Sequence, residues 1–174
     1  MHLRLFTFFA ILFLALYAHS SAYAQTVTVT QPLYFGDAVV TDNNRRHSIN
    51  VNSNGTFLAD PVFVFLSLPT EGVYQISGLD PNRRIRRINV IVDQQLLGPG
   101  EDFSFDNFDI DAPDSTDSNG EILVRLGARL QTTGRGQPYL ENGLFESRFR
   151  FDIIYRNGNG NGNGNNNGNG NGNR

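Results

Sequence analysis

In EILVRLGARL, residues 121–130, the apolar Ile122, Val124, Leu126, Ala128 and Leu130 recur at every second position, with Arg125, Gly127 and Arg129 between them. A repeat of two is the repeat of a strand, and it puts the apolar set on one face of a sheet and the polar set on the other. One face is expected to be core and the other wet. The stretch RFRFDIIY, residues 148–155, repeats the pattern with Phe149, Phe151, Ile153 and Tyr155 inward and Arg148, Arg150 and Asp152 outward.

No segment between residues 26 and 156 carries a convincing helical repeat. Short apolar or alternating runs are separated instead by clusters of Gly, Pro, Asn and Asp. Asn54-Gly55 sits between two such runs and predicts a tight hairpin with positive φ angles, while Asn119-Gly120 and Asn142-Gly143 mark the turns that feed the two alternating strands. The same Asn54-Gly55-Thr56 is a glycosylation sequon, but the hairpin explains it. In PVFVFLSL, residues 61–68, Phe63 and Phe65 oppose Val62, Val64, Leu66 and Leu68, so both faces are apolar. Such a strand is either central or has a partner on one face, and the central position is expected because large exposed apolar patches are rare on monomers. The pattern as a whole predicts an all-β domain, an antiparallel sandwich or barrel, without the long repeats of propellers and solenoids.

The two ends read differently. A basic flank (His2, Arg4), an apolar run from Leu5 to Tyr17 and the small-residue pattern Ala22-Tyr23-Ala24 predict a signal peptide over residues 1–24, cleaved to leave Gln25 first. Residues 157–174 are asparagine and glycine apart from Arg174, a composition that cannot bury enough apolar surface to fold, and a disordered tail is expected there. Residues 25–156 remain as one domain. The chain has no cysteine, so burial rather than disulfides has to stabilise an exported domain. No later segment is apolar for long enough to span a membrane, so the mature chain is expected to have no span.

Residue types also narrow the chemistry. All 14 basic residues are arginine, the formal charge is −3, and nothing suggests a nucleic-acid partner. Without cysteine or lysine, thiol and Schiff-base catalysis and lysine-dependent phosphate loops are excluded. Past the leader, His47 is the one histidine, and its polar surroundings in RRHSIN predict an ordinary surface residue rather than a triad member. The acidic run from Asp106 to Glu121 also holds Asp109, Asp111, Asp114 and Asp117 and invites comparison with a calcium loop. An EF-hand register would start at Ser115 and end at Leu126, which fails at both ends, so a solvated acidic loop is expected. RRIRR at 83–87 is expected at a strand entrance beside those carboxylates, with Ile88, Val90 and Val92 entering the core. No catalytic, cofactor-binding or metal-ligating residue is assigned, and no cofactor is expected.

The segments PLYFGDAVV, GVYQISGLDPN, FSFDNF and NGEILVRLGARL, leading to GLFESRFRFDIIY, resemble the secreted bacterial proteins of domain of unknown function 4402, which have pilin-like ends. The closing segment is the most specific: Gly143, Phe145, Ser147, Phe149, Phe151, Ile153 and Tyr155 follow the family pattern, with Ser147 where relatives usually carry a second glycine. The resemblance implies an exported immunoglobulin-like or pilin-like β-sandwich with no established enzymatic activity or cofactor. The expectation is therefore a non-enzymatic structural or interaction module in the periplasm, at the cell surface or outside the cell, with other cell-surface proteins or glycans as partners. A periplasmic carbohydrate-binding or calcium-dependent module using Asp106–Glu121 is the alternative. A pilus subunit polymerising by donor-strand exchange ranks lower, because QTVTVTQP offers only Val27 and Val29 before Pro32. Val27, Val29, Leu33 and Phe35 are instead expected to pack on their own chain and leave a folded monomer.

Overall fold

The structure, a computed structural model, describes residues 25–97, 102–139 and 143–156. None of them is helical. The strands in chain order are β1 (Thr26–Gln31), β2 (Ala38–Val40), β3 (Ser48–Val51), β4 (Phe57–Ala59), β5 (Phe63–Phe65), β6 (Gly72–Ser77), β7 (Ile85–Leu97), β8 (Ser104–Asp111), β9 (Ile122–Gln131) and β10 (Glu146–Tyr155). The predicted leader, the predicted tail and Asn142 lie outside the described residues.

The strictly alternating β9 is the centre of a six-stranded antiparallel sheet. Its inward Ile122, Val124, Leu126, Ala128 and Leu130 are all buried, as the alternation predicts. β8 runs along one edge of β9, from Ser104↔Gln131 to Asp111↔Arg125. Because Arg125 and Leu126 pair with β8 and also with β6, β6 must occupy the opposite edge; Arg129, Leu130 and Gln131 place β3 on that same edge by the same logic. Two strands therefore share one edge: β6 along Ile122–Leu126 and β3 along Ala128–Gln131.

The changeover falls at Gly127. A Cβ there would lie 2.2 Å from the Val51 carbonyl oxygen and 2.7 Å from the Asn52 carbonyl carbon. Gly127, expected on the wet face, is instead buried under the backbone that leaves β3.

β1 extends the sheet beyond β6, and β4 extends it beyond β3. The β3–β4 hairpin forms where Asn54-Gly55 predicts it, with a turn closed by the Gly55 amide on the Asn52 carbonyl (3.1 Å). Only Gly55 takes a positive φ, +82°, so this is a three-residue loop with a glycine bulge rather than a two-residue turn with both residues left-handed.

Over the inner face of the sheet lie two ribbons, β7–β10 and β2–β5. In the long ribbon, Val92↔Phe149, Val90↔Phe151, Ile88↔Ile153 and Ile85↔Tyr155 face inward, and Asp93 pairs with Arg150 on the outside at 3.3 Å. Tyr74, Ile76, Ile122, Val124 and Leu126 pack against Ile85 and Phe151 at one end of the core. Ile49, Val51, Phe105, Ala128 and Leu130 pack with Phe63 and Phe103 at the other. Leu33, Phe108 and Phe149 touch both groups and make one continuous core. The result is an antiparallel two-layer β-sandwich, and the barrel alternative is set aside.

Candidate interaction surface

The expected central strand 61–68 is not central. β5 is three residues long and among the described residues its only ladder partner is β2, through Ala38↔Phe65, Val39↔Val64 and Val40↔Phe63. Phe63 and Phe65 turn inward, their rings 6.4 Å apart, and Phe57 meets Phe65 edge-on at 5.6 Å. Alternation therefore sends Val64, Leu66 and Leu68 to the other face, where they are 52%, 79% and 62% exposed, and Val39, directly opposite Val64, joins them at 52%. Both faces are apolar because one covers the core and the other meets nothing among the described residues. Four aliphatic side chains on one short ribbon are more than the scattered apolar residues usual on a monomer's surface.

The ribbon is held rigidly beneath this stripe. Tyr34 and Thr70 exchange backbone hydrogen bonds of 3.0 and 2.8 Å, and the Leu66 and Ser67 amides both donate to the Asp37 carbonyl, at 2.7 and 3.3 Å. The Ser67 hydroxyl donates to Asp37 Oδ2 at 2.9 Å, accepts from the Asp37 amide at 2.9 Å and lies 2.7 Å from the Tyr34 hydroxyl. Hydrogen bonding from Tyr34 and then from Ser67 holds the Asp37 carboxyl below its usual range, and the same carboxylate raises the Tyr34 phenol. A depressed carboxyl pKa stabilises the fold above the ordinary aspartate range, about 4, and that contribution is lost as pH falls through the lower folded value. Amide resonances of Leu66 and Ser67 are thus expected to titrate below about pH 4, and the Asp37→Asn variant to show no such step. A flat profile in the parent protein would show that this network does not hold the ribbon.

His47 contradicts its expected surface position, for it is only 3% exposed. The fold buries it because its backbone is bound to Thr132: the His47 amide donates to the Thr132 hydroxyl at 3.0 Å and the Thr132 amide donates to the His47 carbonyl at 2.9 Å. Nδ1 lies 3.4 Å from Asp60 Oδ2 and Nε2 lies 3.7 Å from Asp42 Oδ2, and Nε2 has no hydrogen-bond partner. An imidazole enclosed between two carboxylates, with almost no accessible surface, has no approach for a substrate.

The acidic run disperses rather than converging. Asp106, Asp109 and Asp111 belong to β8, not to a loop. Asp106 grips the Arg129 guanidinium through two bonds of 2.8 and 3.1 Å, and Asp109 accepts from the amide and hydroxyl of Ser53 at 2.8 and 2.9 Å. Asp117 Oδ1 accepts the Asn119 and Glu121 amides at 2.9 and 2.7 Å, and Glu121 accepts from Gln75. Among the described residues no group of three or more His, Cys, Asp or Glu side chains is placed to hold a metal ion.

RRIRR lies where expected. The Asn82 amide donates to Asp117, the Ile85 amide to Asp114 and the Thr116 amide to Arg83, so this segment is laced to the acidic turn. Arg83 also lies over the Tyr155 ring at 5.2 Å. Among the described residues, no helix is long and apolar enough to cross a membrane.

Compared with known proteins, the chain matches no family model, no curated protein and no solved structure.

Proposed function

We propose that the protein is an exported, non-enzymatic interaction module of the cell envelope or surface, and that Val39, Val64, Leu66 and Leu68 form its contact face for another surface protein. The observation that carries this reading is the stripe itself, four aliphatic side chains each at least half exposed on a ribbon pinned by Asp37 and Ser67. The resemblance to domain of unknown function 4402 and the predicted leader support the exported location. The carbohydrate-binding alternative has less support: every phenylalanine and tyrosine among the described residues is buried or half-buried, so no fully exposed ring offers a stacking platform for a sugar.

Fractionation of cells carrying the parent and the Leu66→Ser/Leu68→Ser variant tests the reading. The parent is expected in the envelope or surface fraction. The variant is expected in the soluble exported fraction, with a melting temperature within about 2 °C of the parent because the exchanged side chains lie outside the core. A parent retained in the cytoplasm would refute export, and an unchanged distribution of the variant would refute the stripe as the contact face.

A further inference from the structure

β1 combines three features that are unusual together at the edge of a sheet. The first is its face. Val27 stands opposite the fully buried Ile76 and Val29 opposite the buried Tyr74, so both valines point to the core side of the sheet. The β7–β10 ribbon does not reach over them, and they remain 41% and 56% exposed. The expectation that they pack into their own chain is corrected to this extent: β1 pairs with β6, and Leu33 and Phe35 pack against the core, but the valines are half uncovered.

The second feature is the absence of charged protection. Natural edge strands are shielded by charges, prolines, bulges or shortness, and β1 has only the bulge and the proline at its far end. Residues 25–36, QTVTVTQPLYFG, contain no charged side chain, and neither does the adjoining β6, GVYQIS. From Val27 to Thr30 the outer edge of β1 joins no ladder among the described residues. The register shift between Val29 and Gln31, followed by Pro32, stops regular pairing at that end and limits any added contact to a short segment.

The third feature is symmetry. Residues 26–30, TVTVT, read the same in both directions about Thr28. In a second copy related by a two-fold axis at Thr28 each residue meets its mirror position, and the palindrome then sets valine against valine and threonine against threonine. Thr28 then faces Thr28, and each Val27 faces the other copy's Val29, which covers on both sides the apolar surface the monomer leaves open.

We propose that β1 is a homodimerisation edge, where two copies join their six-stranded sheets antiparallel about Thr28. The contact is far smaller than the roughly 800 Å² per partner of a stable dimer, so association is weak, with a dissociation constant of about 10–1,000 μM. The proposal departs from the sequence-based expectation of a monomer.

Sedimentation of the purified protein from micromolar to millimolar concentration, at low salt, is the test. The parent is expected to show a monomer–dimer equilibrium. Val27→Lys/Val29→Lys sets like charges against each other at both mirror positions and should weaken association at least tenfold. Val27→Lys/Val29→Glu sets lysine against glutamate at both positions and should associate at least tenfold more tightly than the Lys/Lys variant. Only the register centred on Thr28 makes that distinction, since a shift by two residues would place position 27 or position 29 against itself. Should these variants fail to fold, Thr28→Cys replaces them: it supplies the chain's single thiol on the axis and should oxidise to a covalent dimer. A parent monomeric up to about 1 mM, open-ended polymers, equal behaviour of the two charge variants, or a Thr28→Cys chain that stays monomeric under oxidation would each overturn the proposal.

Discussion

Gly127→Ala is expected to destabilise the protein by about 3 kcal/mol or more, at the upper end of what overpacking costs. The added methyl carbon would sit 2.2 Å from the Val51 carbonyl oxygen and 2.8 Å from the Asn52 Cα. Both obstacles are backbone, so no rotamer change relieves the clash. Nor can β9 move away, because β8 is paired to its other edge through Gly127↔Asp109. Either the β3 end of the shared edge separates or the β8 ladder opens, and each loses hydrogen bonds and core contact together. Urea denaturation should show the loss as a lower midpoint, and thermal unfolding as a fall on the order of 10 °C. A midpoint within experimental error of the parent would mean that β3 does not cross β9 as closely as described.

Phe151→Ala is expected to cost about 3–5 kcal/mol, the range for removing a large buried aromatic. Phe151 is buried opposite Val90 in the long ribbon and meets Tyr74 of the sheet at 5.3 Å and Phe149 at 5.7 Å between ring centroids. Its loss leaves a cavity between the two layers, next to a tyrosine whose hydroxyl is already engaged by the Leu33 amide at 3.1 Å. The neighbouring Arg150→Ala supplies the control. Its guanidinium pairs with Asp93 on the exposed face, and such pairs contribute about 0–1 kcal/mol. Comparable losses for both variants in chemical denaturation would contradict the assignment of faces on β10.

What could be read from the sequence depended on whether a residue's surroundings lie close to it along the chain. The faces of β9 and β10 follow from alternation within ten residues, and RRIRR lies beside the acidic turn as its charge suggests, although backbone hydrogen bonds are what join the two. The fate of PVFVFLSL did not, because a strand apolar on both faces looks the same whether neighbours cover both sides or one. Only the pairing of β5 with β2 alone decides it. His47 was misplaced for a related reason: RRHSIN is polar locally, and the residue that encloses its backbone, Thr132, is 85 positions away. The close approach at Gly127 could be suspected only from a glycine interrupting an otherwise regular strand, a signal equally consistent with a bulge. The letters of TVTVT and VFVFLSL were visible, but the exposure of Val27 and Val29 depends on how far the long ribbon extends, and that of Val64, Leu66 and Leu68 on the pairing of β5 with β2.

The shared edge of β9 also dictates the order in which the molecule can be assembled. β3, β6 and β8 all pair with it, yet it is the ninth of the ten strands among the described residues. A ribosome delivering this chain releases three of its partners before the template that joins them, so until Gln131 has emerged, β1–β6 and β3–β4 can form only as separate small ladders. Two-stranded pieces of that size are marginal in water. The sheet therefore closes late and through distant contacts, which slows folding, and a chain passing through a translocation pore would remain threadable for most of its length.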